Sequence, residues 1–197
     1  RRQRQMCIRD SVIEDKPFTP ARGLRYIFDV VFLLSGFREG RVLPSGFCTD
    51  YGTTPFPLRR TSEVQFLSGC GGSYRREVFD IIPFPPRPSG NIPAEDKDFS
   101  CRLSRKYRLL LNPRARLLHH ETPVMRPARR ERARKRVLAH WLFFKRCVKE
   151  DWYDWFFFFY SVFGYLMVRT IKMLVSRDRE ALEHVRGICD AIKIILS

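Results

Sequence analysis

The stretch Leu67-Ser-Gly-Cys-Gly-Gly-Ser-Tyr-Arg-Arg-Glu-Val-Phe79 fixes a strand–turn–helix order on the middle of this chain. Val64 to Leu67 is a short apolar run with the character of a buried strand. Gly69, Gly71 and Gly72 let the backbone turn through positive φ, which residues with a Cβ avoid. Ser73 is placed to cap a helix running through Phe79. Pro83-Phe-Pro-Pro-Arg-Pro-Ser-Gly90 cannot be helical, because each proline removes an amide donor. Glu95 to Lys106 carries acids in its first turn and Arg102, Arg105 and Lys106 at its end, the order that a helix dipole favours. Tyr107 to Leu111 and Ala115 to His119 read as strands parted by Asn112-Pro113. Ser62 to about Pro123 is therefore expected to be α/β.

The flanks differ. Val12 to Arg60 is rich in Pro, Gly and turns, with one apolar run, Tyr26 to Leu34, and an irregular loop over 36–46. Arg126 to Arg136 holds seven bases and one acid. Trp141, Phe144, Lys145 and Val148 follow at helical spacing. Trp155 to Val168 is fourteen residues without a charge. A spanning helix needs about twenty apolar residues, so an interfacial helix or a re-entrant hairpin is expected. The aromatic content suits the headgroup boundary. Leu182, Val185, Ile188, Cys189, Ile192 and Ile195 form one helical stripe, expected to pack on the rest of the protein or lie on lipid.

A net charge of +16 directs the chain toward anionic surfaces: phosphates, acidic lipid or nucleic acid. The aromatic stretch beside the basic run favours an anionic membrane surface, and no nucleic-acid recognition motif is visible. The six cysteines, at 7, 48, 70, 101, 147 and 189, have neither zinc-site nor disulfide-framework spacing and fit reduced thiols.

Met6-Cys-Ile-Arg-Asp-Ser11 is what ATG TGT ATA AGA GAC AGN encodes, a transposon end used in sequencing libraries. Residues 1–11 are accordingly read as adaptor-derived and set aside. Residues 12–125 then form the α/β region, and 126–197 a basic, aromatic helical region.

The ordered set of Gly turn, Tyr-Arg-Arg (74–76), Glu-Asp-x-Asp-Phe-Ser (95–100) and strand-His resembles family-2 glycosyltransferases from about Phe32 to Pro127. The match is to the C-terminal half of the catalytic domain. The resemblance implies an α/β fold, a partial GT-A mixed sheet followed by C-terminal helices. It implies a membrane-associated, inverting enzyme at the cytoplasmic face of a bacterial inner membrane. That enzyme would move a sugar from a nucleotide-diphosphate donor to a glycan or lipid-linked acceptor in polysaccharide synthesis. The family's uridine pocket and metal-binding Asp-x-Asp lie in the preceding half-domain, which this sequence does not match. The divalent cofactor, Mg²⁺ or Mn²⁺, would be held mainly there, and the truncated chain is expected to be inactive alone. The other readings are a non-catalytic basic membrane-surface module and a nucleic-acid binder.

Inverting transfer needs a base for the acceptor hydroxyl and stabilisation of the departing diphosphate. The resemblance assigns the base to Asp96, with Glu95 orienting it or touching the acceptor. The plain alternative is a pair of acids opening a helix. Asp96-Lys97-Asp98 spells Asp-x-Asp, but it follows the Gly turn on a helix and is not the donor's metal motif. Gly69, Cys70, Gly71 and Gly72 let a ligand approach the backbone, and by resemblance lie under the acceptor or donor sugar. An ordinary strand-to-helix turn would look the same. Arg75 and Arg76 could pair with phosphate or with the acid pair, or form a solvated face. Some relatives use a histidine after the second strand as a metal ligand. His119 fits the strand alternation better than His120, and a structural histidine fits equally well.

Overall fold

The computed structural model describes residues 5–8, 19–68, 72–83, 95–115 and 127–197. Its strands are β1 (Gln5–Ile8), β2 (Ser62–Val64) and β3 (Arg108–Leu111). Its helices are α1 (Pro20–Val31), α2 (Glu77–Ile81), α3 (Glu95–Ser104), α4 (Arg129–Cys147), α5 (Asp154–Ser176) and α6 (Arg179–Leu196). The class is mixed α/β, with a small sheet and many helices.

The sheet has the order β1-β3-β2. β2 runs antiparallel to β3, with Ser62 opposite Leu111 and Val64 opposite Leu109, while β1 is parallel on the other side. β1 falls in the segment set aside as adaptor-derived. The ladder's hydrogen bonds join backbone groups that any non-proline residue carries, so the pairing has no bearing on that segment's origin.

The strand expected over Val64 to Leu67 instead ends at Val64. Phe66 and Leu67 are fully buried but leave the ladder, because the Leu67 amide donates to Ser100 Oγ at 2.9 Å. The helix expected from Ser73 begins later, at Glu77, and its N-cap Arg76 makes no side-chain cap bond. α3 stops at Ser104 rather than Lys106. The amides of Lys106 and Tyr107 both return to the Leu103 carbonyl and close the turn into β3. Of the second expected strand, only Ala115 is described, in a turn whose amide donates to the Asn112 carbonyl.

One core lies between the sheet and α3. Phe66, Leu67, Phe99, Leu103 and Leu109 are fully buried there, with Tyr51, Val64 and Val78 around them. Each such aliphatic or aromatic side chain contributes about 1.5–3 kcal/mol by leaving water.

A second core joins α4, α5 and α6 with Leu34, through Ala133, Val137, Tyr165, Val168, Ile188 and Ala191. The apolar stripe of α6 faces this core. Gly187 brings α6 hard against α4: a Cβ there would stand 2.2 Å from the Arg130 carbonyl oxygen. The re-entrant hairpin expected at 155–168 is not formed. α5 is one continuous helix, and Gly164, the place a break would fall, instead gives up its side-chain space to the Phe32 ring. By length and composition, α5 is long and apolar enough to cross a membrane.

The run Tyr26 to Leu34 also resolves into structure. Thr19 caps α1 by accepting from the Arg22 amide, Pro20 supplies the fixed φ of a first helical residue, and the chain turns out at Leu33.

Candidate functional site

The acid pair opens α3, and a loop that the sequence gives no reason to single out comes to meet it. After α1, the backbone folds into a small hairpin. The amide of Gly40 donates to the Thr49 carbonyl, that of Thr49 to the Arg41 carbonyl, and Val42 bridges Cys48. Gly40 has φ +73°, and a Cβ there would strike Val64 at 2.4 Å, so this crossing over β2 requires glycine. The buried carboxylate of Glu39 accepts from the amides of Gly52 and Leu58 at 2.8 and 3.1 Å and from the Thr54 hydroxyl at 3.3 Å. A carboxylate used in this way holds the loop after the hairpin, and Asp50 with it.

Asp50 faces α3. The Lys97 ammonium lies 2.5 Å from its carboxylate and 4.9 Å from the centre of the Phe66 ring. Burial alone would lower the Lys97 pKa. The charge and hydrogen bond of the Asp50 carboxylate, with smaller help from Asp96, oppose this, so the pKa is raised and the ammonium stays charged. Asp96 is half-buried beside this pair. Its carboxylate accepts from the Lys97 amide at 2.9 Å, and its carbonyl accepts from Ser100 Oγ at 2.7 Å. Glu95, the first residue of α3, is half-buried.

Of the Tyr-Arg-Arg triplet, the tyrosine faces α3. Tyr74 packs edge-on against Phe99 at 5.1 Å, and burial followed by the Asp96 charge pushes its hydroxyl up to about 12. Arg75 and Arg76 are exposed and form a solvated face, and Gly72 lies in exposed coil. Gly69, Cys70, Gly71, His119 and His120 lie outside the described residues.

Two cavities meet at Asp50. One, of about 370 Å³, is bordered by Arg22, Arg25, Tyr26, Asp29 and Thr53 as well as Cys48 and Asp50. The other, of about 360 Å³, has Cys48 and Asp50 on one side with Lys97, and Arg136, His140 and Tyr165 on the other. Each has the size of a small-ligand pocket. Burial holds the Cys48 thiol up at about 12 and the His140 imidazole down at about 3, so both are neutral near pH 7. Cys48, Cys101, Cys147 and Cys189 are free thiols.

Asp98 does something different from its neighbour two positions away. It is buried toward α4, with Arg102 at 3.2 Å, Arg146 at 3.8 Å and the Cys147 thiol at 3.5 Å from its carboxylate. The Cys147 thiol is held well above the ordinary range by its hydrogen bond with the Cys101 thiol and by burial. Arg105 reaches the Cys147 carbonyl at 2.9 Å. Asp98 and its partners thus fasten α3 to α4 and stand outside the Asp50 rim.

Among the described residues, no three His, Cys, Asp or Glu side chains converge to hold a metal ion, and the Asp50 carboxylate is engaged by an ammonium. These residues do not supply a metal centre. No protein-family model, no curated protein and no solved structure matches this chain.

Proposed function

We propose that the chain carries the acceptor side of an inverting glycosyltransferase working at the inner face of a bacterial inner membrane. Asp96 is the general base. The supporting observation is that Asp96 sits at the start of α3 beside an Asp50–Lys97 pair, of which Asp50 borders two ligand-sized cavities and Lys97 one of them. An acceptor hydroxyl lying across that rim gives its proton to the Asp96 carboxylate. Its oxygen bonds to the anomeric carbon while the bond to the donor's diphosphate oxygen breaks on the opposite face. Asp50 accepts from a neighbouring acceptor hydroxyl, and Lys97 offsets the negative charge gathered there. By the family resemblance, the donor nucleotide and its metal belong to a preceding half-domain. No step is drawn through them.

The test is sugar transfer by membranes from cells expressing the full-length gene, with labelled uridine, thymidine and guanosine diphosphate sugars. Loss of a general base costs about 10²–10⁴-fold in rate. Asp96→Asn is expected to lose that much with donor binding unchanged, and normal turnover by Asp96→Asn refutes the assignment. Residues 12–197 alone are expected to bind no nucleotide-sugar with micromolar affinity in calorimetry.

A second reading, a non-catalytic membrane-surface module, is favoured by the apolar outer face of α5. Vesicle binding without transfer by any full-length form would establish it.

A further inference from the structure

α1 and α5 each turn an apolar stripe outward. On α1, Leu24, Ile27 and Val31 are 73%, 60% and 54% exposed, at a spacing that puts them on one face. On α5, Phe156, Phe163, Ile171 and Leu174 are 66%, 58%, 49% and 65% exposed along one line, with Phe159 beside them. The two stripes adjoin. The Tyr160 hydroxyl donates to the Val31 carbonyl at 3.2 Å, and the Phe32 ring stacks on Tyr160 at 5.3 Å and lies 6.4 Å from Phe163. Soluble proteins rarely leave contiguous apolar surface of this kind uncovered.

We propose that these stripes form one membrane-docking face, with α5 lying in the plane of an anionic bilayer surface and α1 inserted beside it. The inference deepens the membrane attachment proposed above and does not depend on sugar transfer. Three observations select a bilayer as the occupant. First, α5 has the length and hydropathy of a membrane helix. Its inner side, through Phe158, Ser161, Val162 and Tyr165, is packed against the bundle. A spanning placement would carry the α4–α6 ion pairs, such as Arg130–Asp190 at 2.7 Å, into hydrocarbon, so an in-plane placement is the one that leaves them in water. Second, Trp152 and Tyr153, exposed just before α5, are side chains that settle at the headgroup boundary. Third, bases stand at the two ends of α5: Lys149 lies over the Trp155 ring of its first turn, 5.7 Å from the ring centre, and the exposed Arg177 follows its last residue.

The basic run of α4 does less of this work than its composition indicates. Arg129 and Arg130 pair with Glu180 and Asp190 of α6, and Arg134 and Lys135 pair with Glu131. Much of that charge is offset by these carboxylates on the protein's own surface, which leaves the apolar face as the main anchor.

The test is flotation of the full chain with vesicles of phosphatidylcholine alone or with one-third phosphatidylglycerol. Circular dichroism confirms folding of each variant. Two apolar side chains withdrawn from a membrane weaken partitioning by about a hundredfold. Leu24→Asp/Ile27→Asp and Phe163→Asp/Ile171→Asp are each expected to lose that much. Ile194→Asp, on an exposed apolar residue of α6 outside the face, is expected to bind like the parent. Carbonate is expected to release the parent from anionic vesicles. Failure of the parent to float removes both this face and the broader membrane reading. Normal flotation of the α1 variant overturns the inclusion of α1 alone. Retention through carbonate overturns the in-plane placement. A lipid-free dimer that the α1 variant splits makes a second copy the occupant and overturns the bilayer.

Discussion

Replacing Asp98 with asparagine keeps the side chain's shape and removes one charge from the point where two guanidinium groups converge. The carboxylate is 8% exposed, while Arg102 and Arg146 are 28% and 48% exposed. Breaking a fully buried ion pair costs about 3–5 kcal/mol, because the remaining charge is stranded. Here the stranded cations reach water, so the cost falls to about 2 kcal/mol. In a chain of this size, that lowers Tm by about 4–8 °C. Asp96→Asn perturbs a half-buried carboxylate that accepts from the Lys97 amide of its own helix and stands beside the Asp50–Lys97 pair. It is expected to change stability by less than about 0.5 kcal/mol. Thermal melts in mild detergent, followed by near-ultraviolet dichroism, compare the two variants directly. On sequence spacing, Asp98→Asn serves as the mild control for Asp96→Asn. The structure makes it the stability variant instead, and the transfer proposed above is expected to be preserved per folded molecule. Asp98→Asn melting with the parent, or Asp96→Asn melting well below it, would refute the division of labour on α3.

Gly187→Ala gains helix propensity yet forces a Cβ to 2.2 Å from a backbone oxygen, so α6 must move off α4; a net loss of about 1–3 kcal/mol in chemical denaturation is expected, and unchanged stability would contradict the packing. His140 has its pKa held down to about 3, whereas the unfolded chain takes up that proton near pH 6.5. Its contribution is complete above pH 6.5 and is lost as pH falls toward 3. The denaturation midpoint is therefore expected to drop between pH 7 and pH 5, by about 1–2 kcal/mol, and a midpoint that rises would reverse the sign. His184, held at about 4 by burial and neighbouring cations, acts in the same direction. Arg75→Ala/Arg76→Ala alters an exposed face and is expected to shift stability by no more than about 0.5 kcal/mol, a larger loss in melts implying a contact. On the proposed transferase reading, Glu95→Gln in the full-length protein is expected to raise acceptor KM more than it lowers kcat, and steady-state kinetics with the reverse split would place Glu95 in the chemical step.

Local signals were legible where the residues concerned act on their own backbone. The acids and bases of α3, the strand at Arg108–Leu111 and the stripe of α6 follow from periodicity and dipole. Ser73 is a capping residue by type only, since α2 begins at Glu77 with Arg76 at its N-cap and no side-chain cap bond. α5 misled because charge was counted as a boundary. The Arg169 guanidinium lies over the Tyr165 ring, 5.0 Å away, and the helix runs on past it. Asp50 was invisible for a different reason. Nothing about Cys48-Thr-Asp50 marks a site. Its place is fixed by Glu39 and the Gly40 crossing, and its meaning by a lysine 47 residues away. Tyr74 carries no charge and no periodic signal beside its two arginines, yet its ring is what packs on Phe99.

The fastening of α3 to α4 bears on how this gene can be cut. A clone ending at residue 125, where basic composition begins, looks like a way to separate a soluble catalytic piece from a sticky tail. It would delete Phe143 and Cys147, against which Cys101 is buried, the carbonyl that receives Arg105, and Arg146, one of the cations that meets Asp98. It would also remove Arg136, His140 and Tyr165, the far side of the cavity at Asp50. The helix bearing Asp96 would then have a sheet on one side and water on the other. Solubility gained by such trimming would come with an open half-site, and activity lost in it would say nothing about the membrane.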